Sequence, residues 1–73
     1  MSDVIEAKVL TVNGVPEPLA STVAALLAAR DIAPEGRGVA VAVNGAVVRR
    51  ADWATTALNA GDVVEIVRAM QGG

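Results

Sequence analysis

Seventy-three residues make one domain, and a chain this short buries a smaller share of its surface than a large one. The absence of Cys removes disulfides and thiol chemistry, and the absence of His removes the commonest general base and metal ligand. A net charge of −2, scattered without a basic stripe, argues against nucleic acid as a partner.

The opening Met1-Ser2-Asp3-Val4-Ile5-Glu6 lacks the basic start and long apolar run of a signal peptide. Residues Glu6 to Val12 alternate as a strand, with Leu10 and Val12 on one face. Asn13-Gly14 tolerates the positive φ values of a tight hairpin, so Val15 to Leu19 reads as the return strand. Val15, Glu17 and Leu19 share one of its faces. Pro16 and Pro18 lie two apart, and their missing N–H groups fall on the same side. A strand tolerates that only where the side faces solvent, which places this one at a sheet edge.

Ser21-Thr22 supplies an N-cap hydroxyl for a helix over about Val23 to Arg30. Val23, Leu26 and Leu27 form its apolar face, and Pro34 and Gly36 bound it from behind. The apolar run Val23 to Ala29 is far too short to span a bilayer. Gly36-Arg37-Gly38 lacks the spacing and following helix of a P-loop and reads as a plain loop.

Val39 to Val43 alternates Val with Ala, so both faces are apolar. This fits either burial on both sides or an uncovered face that meets a partner. Asn44-Gly45 is a second hairpin turn, with Ala46 to Arg49 as its return strand. Arg50 to Ala54 reads as a short helical turn, in which Trp53 is a packing plug. Arg49, Arg50 and Arg68 fit surface charge or partner contact equally well. Leu58 to Asp62 is a turn cluster. Val63 to Arg68 is the last strand, with Val64 and Ile66 on one face.

The apolar fraction is 53%, mostly Ala and Val, with one Trp and no Phe or Tyr. Leu10, Leu19, Leu26, Leu27, Ile32, Trp53, Leu58 and Ile66 must supply much of the core. Little room remains for the several hundred Å³ typical of a small-molecule pocket. The element order implies an α+β domain: a mixed five-stranded sheet with one helix across one face. The first and last strands lie side by side in the centre, and the second and fourth at the edges. That is the β-grasp, or ubiquitin-like, arrangement over residues 1–69, followed by a flexible C-terminal Gly-Gly tail over 70–73.

Gly72-Gly73 ends the chain. Average Gly usage gives such an ending by chance in roughly 0.5% of chains, so it needs support from the rest of the sequence. Glycines there permit close backbone approach, and Met70 to Gly73 reach at most about 14 Å at about 3.5 Å per residue. With neither Cys nor His in the chain, the Gly73 carboxylate is the one group left with distinctive chemistry.

The run Val43-Asn44-Gly45-Ala46-Val47-Val48-Arg49-Arg50-Ala51-Asp52-Trp53 resembles the ThiS family of sulfur carriers. So does Leu58-Asn59-Ala60-Gly61-Asp62-Val63-Val64-Glu65-Ile66-Val67-Arg68-Ala69-Met70-Gln71-Gly72-Gly73, and Val12-Asn13-Gly14 and Thr22-Val23-Ala24-Ala25-Leu26-Leu27 match the usual opening. Arg49 directly follows Val48 where many members place a Pro first, a departure expected to alter a surface turn only. The resemblance implies a carrier that is not itself a catalyst. An E1-like adenylyltransferase of the ThiF type adenylates the Gly73 carboxylate with ATP. Sulfur from a persulfide, supplied by a sulfurtransferase or cysteine desulfurase, converts it to a thiocarboxylate. A ThiG-type thiazole synthase then uses that sulfur in thiamine biosynthesis. Gln71 and Gly72 give the terminus access to these partners.

The same reading expects no bound cofactor or metal, no membrane or nucleic-acid partner, a cytoplasmic location and a monomer when free. Other destinations for the sulfur are molybdopterin, cysteine or tRNA. Val67 to Gln71 lacks the prolines usual before the Gly-Gly of the molybdopterin carriers. A different class is a ubiquitin-like binding module whose tail is never activated.

Overall fold

The computed structural model describes residues 8–69. In chain order these form β1 (Val9–Val12), β2 (Val15–Pro18), α1 (Val23–Ala29), β3 (Val39–Val43), β4 (Ala46–Val48), a 3-10 turn (Arg50–Asp52) and β5 (Val63–Arg68). The sheet order is β2-β1-β5-β3-β4, with β1 and β5 parallel and the other neighbours antiparallel. This is the expected mixed five-stranded sheet, with first and last strands paired inside and both hairpin returns at the edges.

Both Asn-Gly pairs turn as their sequence requires. Asn13 and Gly14 have φ of 51° and 84°, and Asn44 and Gly45 have 50° and 86°. Positive φ at both central residues is the mark of the tight hairpin turn whose twist matches the flanking strands. In β2, Thr11 faces Pro16 and Val9 faces Pro18. The Leu19 N–H donates to the Lys8 carbonyl at 3.0 Å. By alternation, the prolines fall at positions whose N–H would point away from β1, so the ladder loses nothing to them.

Several boundaries are shorter than the sequence pattern implied. β1 starts at Val9, because Lys8 lies in a turn; Glu6 and Ala7 lie outside the described residues. β2 stops at Pro18, and Leu19 turns in to pack on the core. β4 stops at Val48, where extended Arg49 starts the 3-10 turn. The helix stops at Ala29, with Arg30 as its C-cap.

The helix begins where its capping residue sits. Thr22 is extended, and its Oγ1 accepts from the Ala25 N–H at 3.1 Å. The first two helical N–H groups, of Val23 and Ala24, donate to the carbonyls of Thr56 and Trp53, each at 3.0 Å. The donors that a helix start leaves unpaired are thus absorbed by the segment after the 3-10 turn. At the other end, the Ile32 N–H bonds the Leu27 carbonyl and the Asp31 N–H bonds the Ala28 carbonyl. This is a Schellman stop, which favours glycine at its left-handed position. Here that position is Asp31, with φ 62°. Asp31→Gly is expected to stabilise the fold by about 0.5–1 kcal/mol, the left-handed penalty of a side chain less the entropy of glycine. A melt should show a gain of several degrees, at about 4–8 °C per kcal/mol for a domain this size.

The helix lays Val23, Leu26 and Leu27 against Leu10, Val12, Val41, Val64 and Ile66 of the sheet, with Ile32, Trp53 and Leu58 closing the cluster. Among the described residues no polar or charged side chain is buried. The expected core is present except that Leu19 is only half-buried, since the edge strand leaves it part-open. Val12, Val23, Val41 and Val64 are almost fully enclosed and supply the rest. Val39, Val41 and Val43 face the helix and Ala40 and Ala42 face outward, so only one face of β3 is covered. No helix of the described residues is long and apolar enough to cross a membrane.

Candidate functional site

Gln71, Gly72 and Gly73 lie outside the described residues, as does Met70. The structure places the strand that leads to them. β5 is hydrogen-bonded on both sides, to β1 and to β3, so it is held in the middle of the sheet. Its last register pair is Arg68 with Val39. One residue on, the Ala69 N–H donates to the Gly38 carbonyl at 2.7 Å. The chain therefore approaches its C-terminus from a fixed interior strand.

Two asparagines pin β5 further. The Asn13 Oδ1 accepts from the Ile66 N–H at 2.8 Å, and its Nδ2 donates to the Ile66 carbonyl at 3.1 Å. The side-chain amide thus stands in for one more peptide of β1 where that strand turns away. The Asn44 Oδ1 accepts from the Val63 N–H at 2.9 Å, and its Nδ2 donates to Asp62 Oδ1 at 3.1 Å. Each hairpin asparagine both allows its turn and ties that turn to the last strand. The Asn-Gly motif signals the turn; the bond to a strand some fifty residues away in the case of Asn13 has no local signature.

Beside the root of the tail lies an open groove of about 490 Å³, lined by Asp31, Glu35, Arg37, Gly38 and Arg68 among others. Its charges are of both signs. No group of three or more His, Cys, Asp or Glu side chains gathers among the described residues. Trp53 is buried, and its Nε1 donates to the Val48 carbonyl at 3.0 Å, which makes it the packing plug that its sequence position implied. The Arg50 Nη1 donates to the Glu35 carbonyl at 2.6 Å, so this arginine braces a loop. Arg49 lies 3.8 Å from Asp52 on an exposed surface, and Arg68 is exposed.

The sheet face away from the helix carries an apolar patch. Val67 stands opposite Ala40, and Val47 opposite Ala42. Val47 is 77% exposed and Val67 62% exposed. Large contiguous apolar patches on soluble monomers mark contact surfaces, and here Glu65, opposite Ala42, adds one charge among the apolar groups.

A β-grasp domain whose central last strand leads into Gly-Gly has the architecture of a ubiquitin-like carrier. The model of the ThiS family matches residues 6–73. The chain is similar to a crystal structure of the thiamine biosynthesis protein ThiS from Geobacter metallireducens, at 36% identity and a TM-score of 0.72 over 89% of this chain and 99% of that one. An NMR solution structure of a thiamine biosynthesis protein from Geobacter metallireducens matches at 36% identity and a TM-score of 0.71, covering 89% and 87%. No match was found among curated proteins. The chain belongs to the ThiS family, whose members are non-catalytic sulfur carriers of thiamine biosynthesis.

Proposed function

We propose that the α-carboxylate of Gly73 carries the sulfur, on an arm formed by residues 70–73 beyond the β-grasp domain. The observation that supports this best is the family match running through Gly72-Gly73, in a chain whose last described strand is held in the middle of the sheet. A carboxylate is a poor electrophile, because its charge repels nucleophiles and its oxygens leave badly. A carboxylate oxygen therefore attacks the α-phosphorus of ATP in the partner's site, and pyrophosphate departs. The terminal sulfur of a persulfide then attacks the acyl carbon and expels AMP. A second thiol cleaves the S–S bond, leaving the thiocarboxylate on Gly73 and a disulfide on the donor side. The thiocarboxylate passes its sulfur to a thiazole synthase.

The partners under this reading are a ThiF-type adenylyltransferase that uses ATP, a sulfurtransferase or cysteine desulfurase, and a ThiG-type synthase. The patch around Val47, Ala42, Ala40 and Val67 is the surface proposed to seat the adenylyltransferase. Val47→Asp is expected to weaken that complex by about 10- to 100-fold, the effect of losing a contact worth roughly 1.4–2.8 kcal/mol. The melting temperature should stay within a few degrees, since a side chain this exposed contributes little to the fold. Titration calorimetry and a melt on the same sample measure both.

The activation step is tested with a ThiF-type adenylyltransferase and ATP in the absence of any sulfur source. The expected result is pyrophosphate release that depends on this chain and an acyl adenylate, a mixed anhydride with AMP, on Gly73. Pyrophosphate release with no adduct on the chain would overturn the reading.

A further inference from the structure

We propose that the loop Gly36-Arg37-Gly38 is a backbone clamp that fixes where the C-terminal arm leaves the sheet, making Gly38 a positioning residue for activation of the terminal carboxylate. The inference rests on the reading that Gly73 is the group activated.

The clamp begins where the ladder ends. β3 and β5 share a register from Val43↔Val64 to Val39↔Arg68. Gly38 continues that register opposite Ala69 and accepts its N–H at 2.7 Å. A backbone hydrogen bond thus holds Ala69 one residue past the end of β5. Four residues follow it, which span at most about 14 Å. Opening the Ala69 bond would lengthen the free arm by about 3.5 Å and release its starting direction. Misplacement of a reacting group by about 1 Å is enough to slow a reaction about 100-fold.

The accepting carbonyl depends on glycine. Gly38 has φ +71°, and although a Cβ added there would make only an ordinary contact with the Ala69 Cβ at 3.5 Å, L side chains rarely adopt that backbone conformation. A side chain must either accept the left-handed strain or rotate the peptide that presents the carbonyl.

The loop behind Gly38 is braced well beyond what an exposed connection needs. The Val39 N–H closes a turn onto the Gly36 carbonyl at 3.1 Å. Gly36 is buried against the ring of Trp53, and Arg50 holds the Glu35 carbonyl. The 3-10 segment thus supports the loop, and the loop supports the root of the arm. The sequence motif that fails as a phosphate loop has its use here.

The experiment compares Gly38→Ala with Gly14→Ala, a matched left-handed glycine that has open space around it and lies far along the chain from Ala69. In amide hydrogen exchange, Gly38→Ala should lower protection of the Ala69 N–H at least about 10-fold relative to Gly14→Ala, with Val41, paired to Val48 in the β3–β4 hairpin, alike in the two. With a ThiF-type adenylyltransferase that accepts the wild-type chain, kcat for Gly38→Ala should fall about 10- to 100-fold and KM should change less than about 3-fold. Gly14→Ala should match wild type in both constants. Equal kcat in the two variants overturns the clamp and leaves activation of Gly73 standing. An equal loss of kcat in Gly14→Ala also overturns it, by assigning the effect to general destabilisation. A wild-type chain that is never adenylated overturns both readings.

Discussion

Deleting Gly73, or adding one residue after it, should abolish sulfur loading and leave the fold intact. Deletion moves the terminal carboxylate back by up to about 3.5 Å. A shift of that size in a reacting atom is expected to cost more than about 1000-fold, given that about 1 Å costs about 100-fold. Adding a residue turns the Gly73 carboxylate into an amide, and the new terminus lies too far along. Neither change alters a residue of the described core, whose last member is Ile66. Thiocarboxylate formation followed by intact mass, beside a thermal melt, reads both halves. Loading at more than about a tenth of the wild-type rate, against the predicted loss, would contradict this role for Gly73.

Gly36→Ala should strongly destabilise the fold without touching the terminus. Gly36 has φ +59°, and a Cβ there would overlap Cη2 and Cζ3 of Trp53. Trp53 has little freedom to yield: it is 4% exposed, and its Nε1 is bonded to Val48. Left-handed strain of about 1–2 kcal/mol adds to overpacking of about 1–3 kcal/mol. Small domains hold only about 5 kcal/mol or a little more in reserve. The melting temperature should drop by at least about 10 °C. A melt within about 2 °C of wild type would show that the ring moves aside at little cost.

Much of this fold was legible because local chemistry and tertiary position agree. Asn13-Gly14 and Asn44-Gly45 announced both hairpins, and Pro16 and Pro18 announced the edge strand. Thr22 and the Val23, Leu26, Leu27 spacing announced the helix and its buried face. What stayed hidden depends on contacts between distant segments. Asp31 as the left-handed stop of the helix looks like any loop acid until the Ile32 N–H is seen on the Leu27 carbonyl. Gly36 on Trp53 and Gly38 on Ala69 make Gly-Arg-Gly structural, and no spacing rule links those residues. Arg50 read equally as surface or partner charge, and only its bond to Glu35 assigns it. The helix covers the valines of β3 and leaves Ala40 exposed and Ala42 half-buried, so burial on both sides does not hold for this strand. The proposed reactive end rests on the sequence alone. A chain without Cys or His leaves few groups to choose from, and the Gly-Gly ending singles out one.

The most direct test of the carrier reading is mass spectrometry of the full chain after incubation with a ThiF-type adenylyltransferase, ATP and a persulfide source. The predicted result is replacement of one oxygen by sulfur, confined to Gly73 in the C-terminal peptide. An unmodified Gly73, in a mixture that does load another ThiS protein, would contradict it.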